Sequence, residues 1–141
     1  MAKAYISDAE LSLEEAQNML DKKYFHRVVR RSQECVELSI KRILRLFGIE
    51  YPKTHEVSKA LERIKFQVKM PKWLNENMNL LKNASKKLAQ QRGPSFYGDE
   101  RAFIPPEKLY DENDAKISLN MAKNVLKVAK RLLIESKPIN N

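Results

Sequence analysis

Apolar residues recur at three- and four-residue intervals along most of this chain, the spacing that lines one side of an α-helix. In the first such stretch Ala9, Leu13, Ala16 and Leu20 form a single stripe. Ser7-Asp8-Ala9-Glu10 reads as a capping box at its start, the Ser7 hydroxyl and the Glu10 carboxylate meeting orphan amides, and predicts a helix that ends near Asp21-Lys22-Lys23. The longest periodic stretch runs from Tyr24 to Phe47. Phe25, Val29, Val36, Ile40, Ile43 and Phe47 share one side, and Val28, Cys35, Leu38 and Leu46 widen the arc. An arc that broad implies more than one neighbour, within a bundle or across a dimer interface. Gly48 supplies a left-handed stop and Pro52 forbids continuation.

Thr54 can cap a short third helix from about His55 to Ile64, with Val57, Leu61 and Ile64 as its apolar positions. Pro71 suits the first turn of a fourth helix, whose stripe of Trp73, Leu74, Met78, Leu81, Ala84 and Leu88 runs to about Gln91, where Gly93 and Pro94 end it. Residues 93–110 carry Gly93, Pro94, Gly98, Pro105 and Pro106, the densest cluster of breakers, and read as a long loop. Asp111 to Asp114 offer caps for a last helix, with Ile117, Met121, Val125, Val128 and Leu132 facing one way and Lys123, Lys127, Lys130 and Arg131 another. The expectation is an all-α fold, an antiparallel up-and-down bundle of four to five helices.

Composition narrows this further. At 141 residues the chain is the size of one domain, with a core over about 5–134 and a polar tail at 135–141. Only 3 Gly and 6 Pro leave few turns for a meander of short strands. The single cysteine, Cys35, excludes an internal disulfide framework, and its place on the apolar arc is that of a packing residue. The start, Met1 to Ile6, has no apolar export core, and no run approaches the ~18 apolar residues of a membrane span. A cytoplasmic location is expected.

The net charge of +9 raises the local concentration of polyanions. Lys22, Lys23, Arg27, Arg30, Arg31, Lys41, Arg42 and Arg45 stand against only Glu34 and Glu37 in the central segment. Lys23, Arg27, Arg30 and Arg31 share one helical face and could meet phosphates, while Glu34 and Glu37 can pair with Arg30 and Lys41. The plainer reading of that face is a solvated surface with ordinary ion pairs. Arg92 stands at a predicted helix end beside Ser95, Phe96, Tyr97 and Asp99, a setting that suits a stacked base or a phosphate, or a simple complement to the helix dipole. With only His26 and His55 there is no histidine-rich metal site, and Gly48, Gly93 and Gly98 are too scattered for a phosphate-cradling loop. No metal and no cofactor are implied.

The run from Arg31 to Lys41, followed by Leu44, Gly48 and Pro52-Lys53-Thr54-His55, resembles the central helix and following turn of HEPN domains. Phe96-Tyr97-Gly98-Asp99, Pro105-Pro106, Leu109-Tyr110 and Asp114-Ala115 resemble the loop into that family's last helix. The resemblance implies a helical homodimer associated with nucleotides or nucleic acids, frequently paired with a minimal nucleotidyltransferase as a two-protein, toxin–antitoxin-like system. Many such relatives are metal-independent ribonucleases, whose signature is an arginine followed after four to six residues by a histidine. Here Arg92 matches the arginine, but Tyr97 stands where the histidine is expected. A histidine exchanges protons near neutral pH, whereas a tyrosine stays protonated. The resemblance therefore implies a non-catalytic subunit that binds nucleotide or nucleic acid. The alternative is a divergent ribonuclease using Arg92 with Tyr97 or His55 across a dimer. A third reading is an interaction module whose basic face meets an acidic protein. His55, at a predicted helix start, could touch a ligand, but fixing its turn is the favoured reading.

Overall fold

The segment with the broadest apolar arc becomes the helix that every other long helix touches. In a computed structural model describing residues 2–53, 57–67, 69–97 and 104–136, the helices are α1 (Ala2–Asp21), α2 (Phe25–Leu46), α3 (Val57–Ile64), α4 (Lys72–Glu76), α5 (Met78–Tyr97), α6 (Pro106–Leu109) and α7 (Glu112–Glu135). α1 and α2 are antiparallel, as Glu15 meeting Arg31 and Ser12 meeting Glu34 require. α7 lies antiparallel to α1, with Lys123 beside Gln17 and Lys130 beside Glu10. α5 runs opposite to α7, because Trp73 just ahead of it reaches Glu135 whereas Gln91 near its end reaches Ser118. The four long helices thus form the expected up-and-down bundle, with α3, α4 and α6 as short connecting helices.

The wide arc of α2 is satisfied inside this bundle. Val28, Val29, Cys35, Val36, Ile40, Ile43 and Leu44 are all buried, facing α1, α5 and α7 in turn. The main core joins Cys35, Val36, Ile40, Ile43 and Leu44 to Ile6, Leu61, Leu74, Met78, Leu81, Val125 and Leu132. A separate small cluster of Ala16, Val28, Ala115 and Leu119, covered by Met19, Leu20 and Phe25, fills the end where α1 turns into α2. Cys35 is fully buried against the Ala122 carbonyl, and burial pushes its thiol up to about 12.

Both ends of the α2 register are set by Schellman motifs. At its C-terminus the Gly48 N–H bonds the Arg45 carbonyl and the Ile49 N–H the Leu44 carbonyl, with Gly48 at φ +70°. Just before α2 the same pattern closes α1. There the Lys23 N–H bonds Leu20 and the Tyr24 N–H bonds Met19, but a lysine occupies the left-handed position at φ +63°.

Four sequence expectations are corrected. Ser7 is no cap: α1 is already helical at Ala2, because Ile6 extends the Ala9 stripe upstream and is itself buried. The predicted fourth helix is broken at Asn77, whose side-chain amide takes the Trp73 carbonyl that a continuing helix would use. Gly93 and Pro94 do not end it, since α5 continues to Tyr97. A proline crowds the Cβ of the residue before it, and Gly93 has none, so the pair passes within a turn of the helix end. Of the predicted loop, residues 93–97 and Pro106–Leu109 are therefore helical. Finally, Ile117 does not face the core but is exposed, because the buried stripe of α7 passes through the small residues Ala115, Ser118 and Ala122. Thr54 and His55 lie outside the described residues.

Candidate nucleic-acid interface

The connection between α1 and α2 is only three residues, Lys22 to Tyr24, so it fixes an antiparallel register in which residues near 15 and 19 face residues near 27 and 31. That register builds a groove of about 120 Å³ lined by Glu15, Met19, Arg27, Arg30 and Arg31. Three of the four basic residues expected to meet phosphates therefore do come together. Lys23 does not share their helical face, since α2 begins at Phe25 and Lys23 lies in the turn.

Arg31 is the most constrained of the three. Its Nε lies 2.9 Å from a Glu15 carboxylate oxygen on α1, and its guanidinium donates to Glu34 at 2.8 Å. Ser12 adds a hydroxyl donor to Glu34 at 3.4 Å. Glu34 thus serves Arg31, while Glu37 pairs with Lys41 at 4.0 Å as the spacing predicts. The Arg30 guanidinium has its pKa lowered, first by burial and then by Arg27 and Arg31. Arg27 lies over the ring of Tyr24 at 5.8 Å. Arg42, by contrast, is buried within the fold and adds nothing to this face.

His26 adjoins this charge. It is partly buried, and its pKa lies below the ordinary value, first through burial and then through Arg27 and Arg30, with Glu107 of α6 opposing. No acidic residue occupies the first turn of α2, so basic side chains crowd the positive end of its dipole. Such an end favours anions.

Arg92 and Tyr97 lie on the closing turns of α5. Their side chains fall outside the described residues, as His55 does altogether. Gln91, just before them, is anchored: its carbonyl accepts from the Tyr110 hydroxyl at 3.3 Å and its side chain from Ser118 at 3.4 Å. Burial pushes the Tyr110 hydroxyl up to about 12. The α5 end, α6 and the first half of α2 are thereby gathered at one end of the bundle, with Glu107 and His26 close enough to interact. Glu15, Met19 and Tyr24 were missed by sequence reasoning. The three-residue turn is the signal that places them opposite the arginines.

Among the described residues no group of three or more His, Cys, Asp or Glu side chains could hold a metal ion, and no helix is long and apolar enough to cross a membrane. The groove combines guanidinium donors, one carboxylate and a thioether wall.

Comparison with known proteins agrees with this architecture. The chain is 32% identical over 138 residues to the Methanocaldococcus jannaschii protein described as "Putative toxin MJ1304", covering 95% of this chain and 89% of that protein. It superposes on the crystal structure of ST0689, described as an archaeal HEPN homologue, with a TM-score of 0.68 and 27% identity, over 92% of this chain and 95% of that one. TT1696 from Thermus thermophilus shares the fold, with a TM-score of 0.72 at 22% identity over 92% of this chain and 96% of that one. The family model described as HEPN domain matches residues 2–132, and the chain belongs to the HEPN domain family.

Proposed function

We propose that this chain is a toxin-related HEPN protein that binds nucleotide or nucleic acid without cleaving it, as a homodimeric, cytoplasmic subunit of a toxin–antitoxin-like pair with a minimal nucleotidyltransferase. The observation that carries the binding role is the convergence of Arg27, Arg30 and Arg31 on one groove at the positive end of α2. Arg31 is held in place by Glu15 and Glu34, and the planar donors of the gathered guanidinium groups match the geometry of phosphate oxygens. The toxin connection is supported by the relative described as a putative toxin. The lack of cleavage is supported by Tyr97, five residues after Arg92, where the family's ribonucleases have histidine. Lys23 extends the basic surface from the turn, and Arg92 and Tyr97 contribute from the end of α5.

The test is a gel of labelled single-stranded RNA with purified protein in chelator over a salt series, beside an Arg27→Ala/Arg30→Ala variant. An intact, retarded band that fades with salt is expected. In the variant the slope of log affinity against log salt should be shallower by about 0.7 for each phosphate no longer neutralised. Absence of retardation at low salt refutes the binding role. Sedimentation alone and with the partner tests the dimer and the pairing.

The second reading, a metal-independent ribonuclease using Arg92 with Tyr97 or His55 across the dimer, is tested in the same gel: cleavage in chelator that disappears in Arg92→Ala would establish it in place of the first.

A further inference from the structure

At about 120 Å³ the arginine groove falls well short of the ~300 Å³ at the lower end of small-molecule pockets, so it has room for a phosphate but not for a whole nucleotide. A base attached to that phosphate must lie outside it. Tyr24 adjoins the groove through a lining residue, since the groove-lining Arg27 lies over its ring at 5.8 Å. Tyr24 is 51% exposed.

The capping position itself does not call for a tyrosine. Tyr24 is the N-cap of α2, yet its side chain makes no capping hydrogen bond, whereas serine, threonine, asparagine or aspartate would. Its backbone carries the structural role, the amide bonding Met19 and the carbonyl accepting from Arg27 and Val28. The residue before it is equally unsuited to its local structure, since Lys23 adopts a left-handed conformation that glycine would take without strain. The turn therefore displays an aromatic face and a cation beside three guanidinium groups, at a cost in local stability. Aromatic rings interleaved with cations are how proteins hold single strands, because every base has a π-face and every nucleotide a phosphate. In a duplex those faces are already stacked.

Building on the binding role proposed above, we infer that Tyr24 is a stacking platform for one base of a single-stranded nucleic acid whose phosphate sits among Arg27, Arg30 and Arg31. Arg27 joins the two halves, touching the phosphate with its donors and backing the ring with its cationic plane. Selectivity for single strands follows from the ring, and salt dependence from the groove.

The test is fluorescence anisotropy with a short labelled oligoadenylate, a duplex of the same length and inorganic pyrophosphate as competitor, using the full chain and its Tyr24→Ala, Tyr24→Leu, Tyr24→Phe and Arg30→Ala variants. The single strand should bind at least about tenfold tighter than the duplex, and Tyr24→Ala and Tyr24→Leu should each weaken it about tenfold. Tyr24→Phe should bind like the parent, and pyrophosphate should compete equally with all the Tyr24 variants. Thermal unfolding of Tyr24→Ala should show only the small loss of a half-exposed ring contact with Arg27, which Tyr24→Phe retains. If Tyr24→Leu binds as well as the parent while Arg30→Ala binds weakly, the platform is overturned and the groove stands. Equal affinity for duplex also overturns the platform. If the parent binds no oligonucleotide, the binding role falls and this inference with it.

Discussion

Arg31 and Glu15 bridge α1 to α2 across 2.9 Å at the wall of the basic groove, each side chain 39% exposed. At that exposure the pair contributes little to stability, within about 1 kcal/mol. Its larger effect is on the groove, where Glu15 holds one guanidinium in place and is itself the acid an incoming phosphate must face. Glu15→Gln should therefore leave the unfolding midpoint almost unchanged while strengthening oligonucleotide binding by roughly threefold at low salt, the gain vanishing as salt rises. Anisotropy titrations at two salt concentrations check this, and weaker binding in Glu15→Gln would show that orienting Arg31 outweighs repulsion.

Lys23 occupies a backbone conformation that costs an ordinary residue ~1–2 kcal/mol. Glycine removes that strain but adds ~0.5–1 kcal/mol of flexibility to the unfolded chain. Lys23→Gly should accordingly stabilise the protein by about 0.5 kcal/mol in urea unfolding. The same variant should bind RNA more weakly, because one cation leaves the turn. A rise in stability with no loss of binding would mean the lysine serves neither end.

Asp111 and Asp114 close a capping box at the start of α7, with the Asp111 carboxylate accepting from the Asp114 N–H at 2.8 Å and the Asp114 carboxylate from the Asp111 N–H at 3.0 Å. Asp111→Ala should cost about 1 kcal/mol and lower the thermal midpoint by roughly 3 °C, whereas Asp111→Ser should recover most of it. Calorimetry of the two variants separates the cap from any general sensitivity of this segment.

The elements that could be read from sequence are those whose cause is local. Gly48 ends α2 and Asp111 begins α7 because a left-handed turn and a capping carboxylate act within a few residues. The central helix was legible because its arc repeats over many turns. Where the cause lies elsewhere in the chain, the sequence was misleading: Gly93-Pro94 reads as a break, yet the helix persists at an end where Gln91 is held by Tyr110 and Ser118. Ile117 was placed inside by its hydrophobicity, whereas the close approach of α7 to its neighbours selects Ala115 and Ala122. For the candidate site, Arg27, Arg30 and Arg31 were evident from spacing along one helix. Glu15, Met19 and Tyr24 were not, because they join the arginines only through the turn that brings α1 back against α2.

His26 ties this electrostatic picture to pH. Burial, Arg27 and Arg30 hold its folded-state pKa below the ordinary 6.5. The unfolded chain therefore takes up the proton more readily than the folded one. The stability contributed by the neutral imidazole is complete above about pH 6.5 and is lost as pH falls from there toward the lower folded value. Urea unfolding from about pH 5 to about pH 7.5 should show stability rising with pH, and His26→Gln should flatten that part of the curve. A phosphate bound at Arg27 and Arg30 offsets two of the charges that disfavour the imidazolium, so oligonucleotide should raise the His26 pKa in an NMR titration of the ring. A pKa unmoved by saturating oligonucleotide would place the bound phosphate away from these arginines and remove the groove from the binding site.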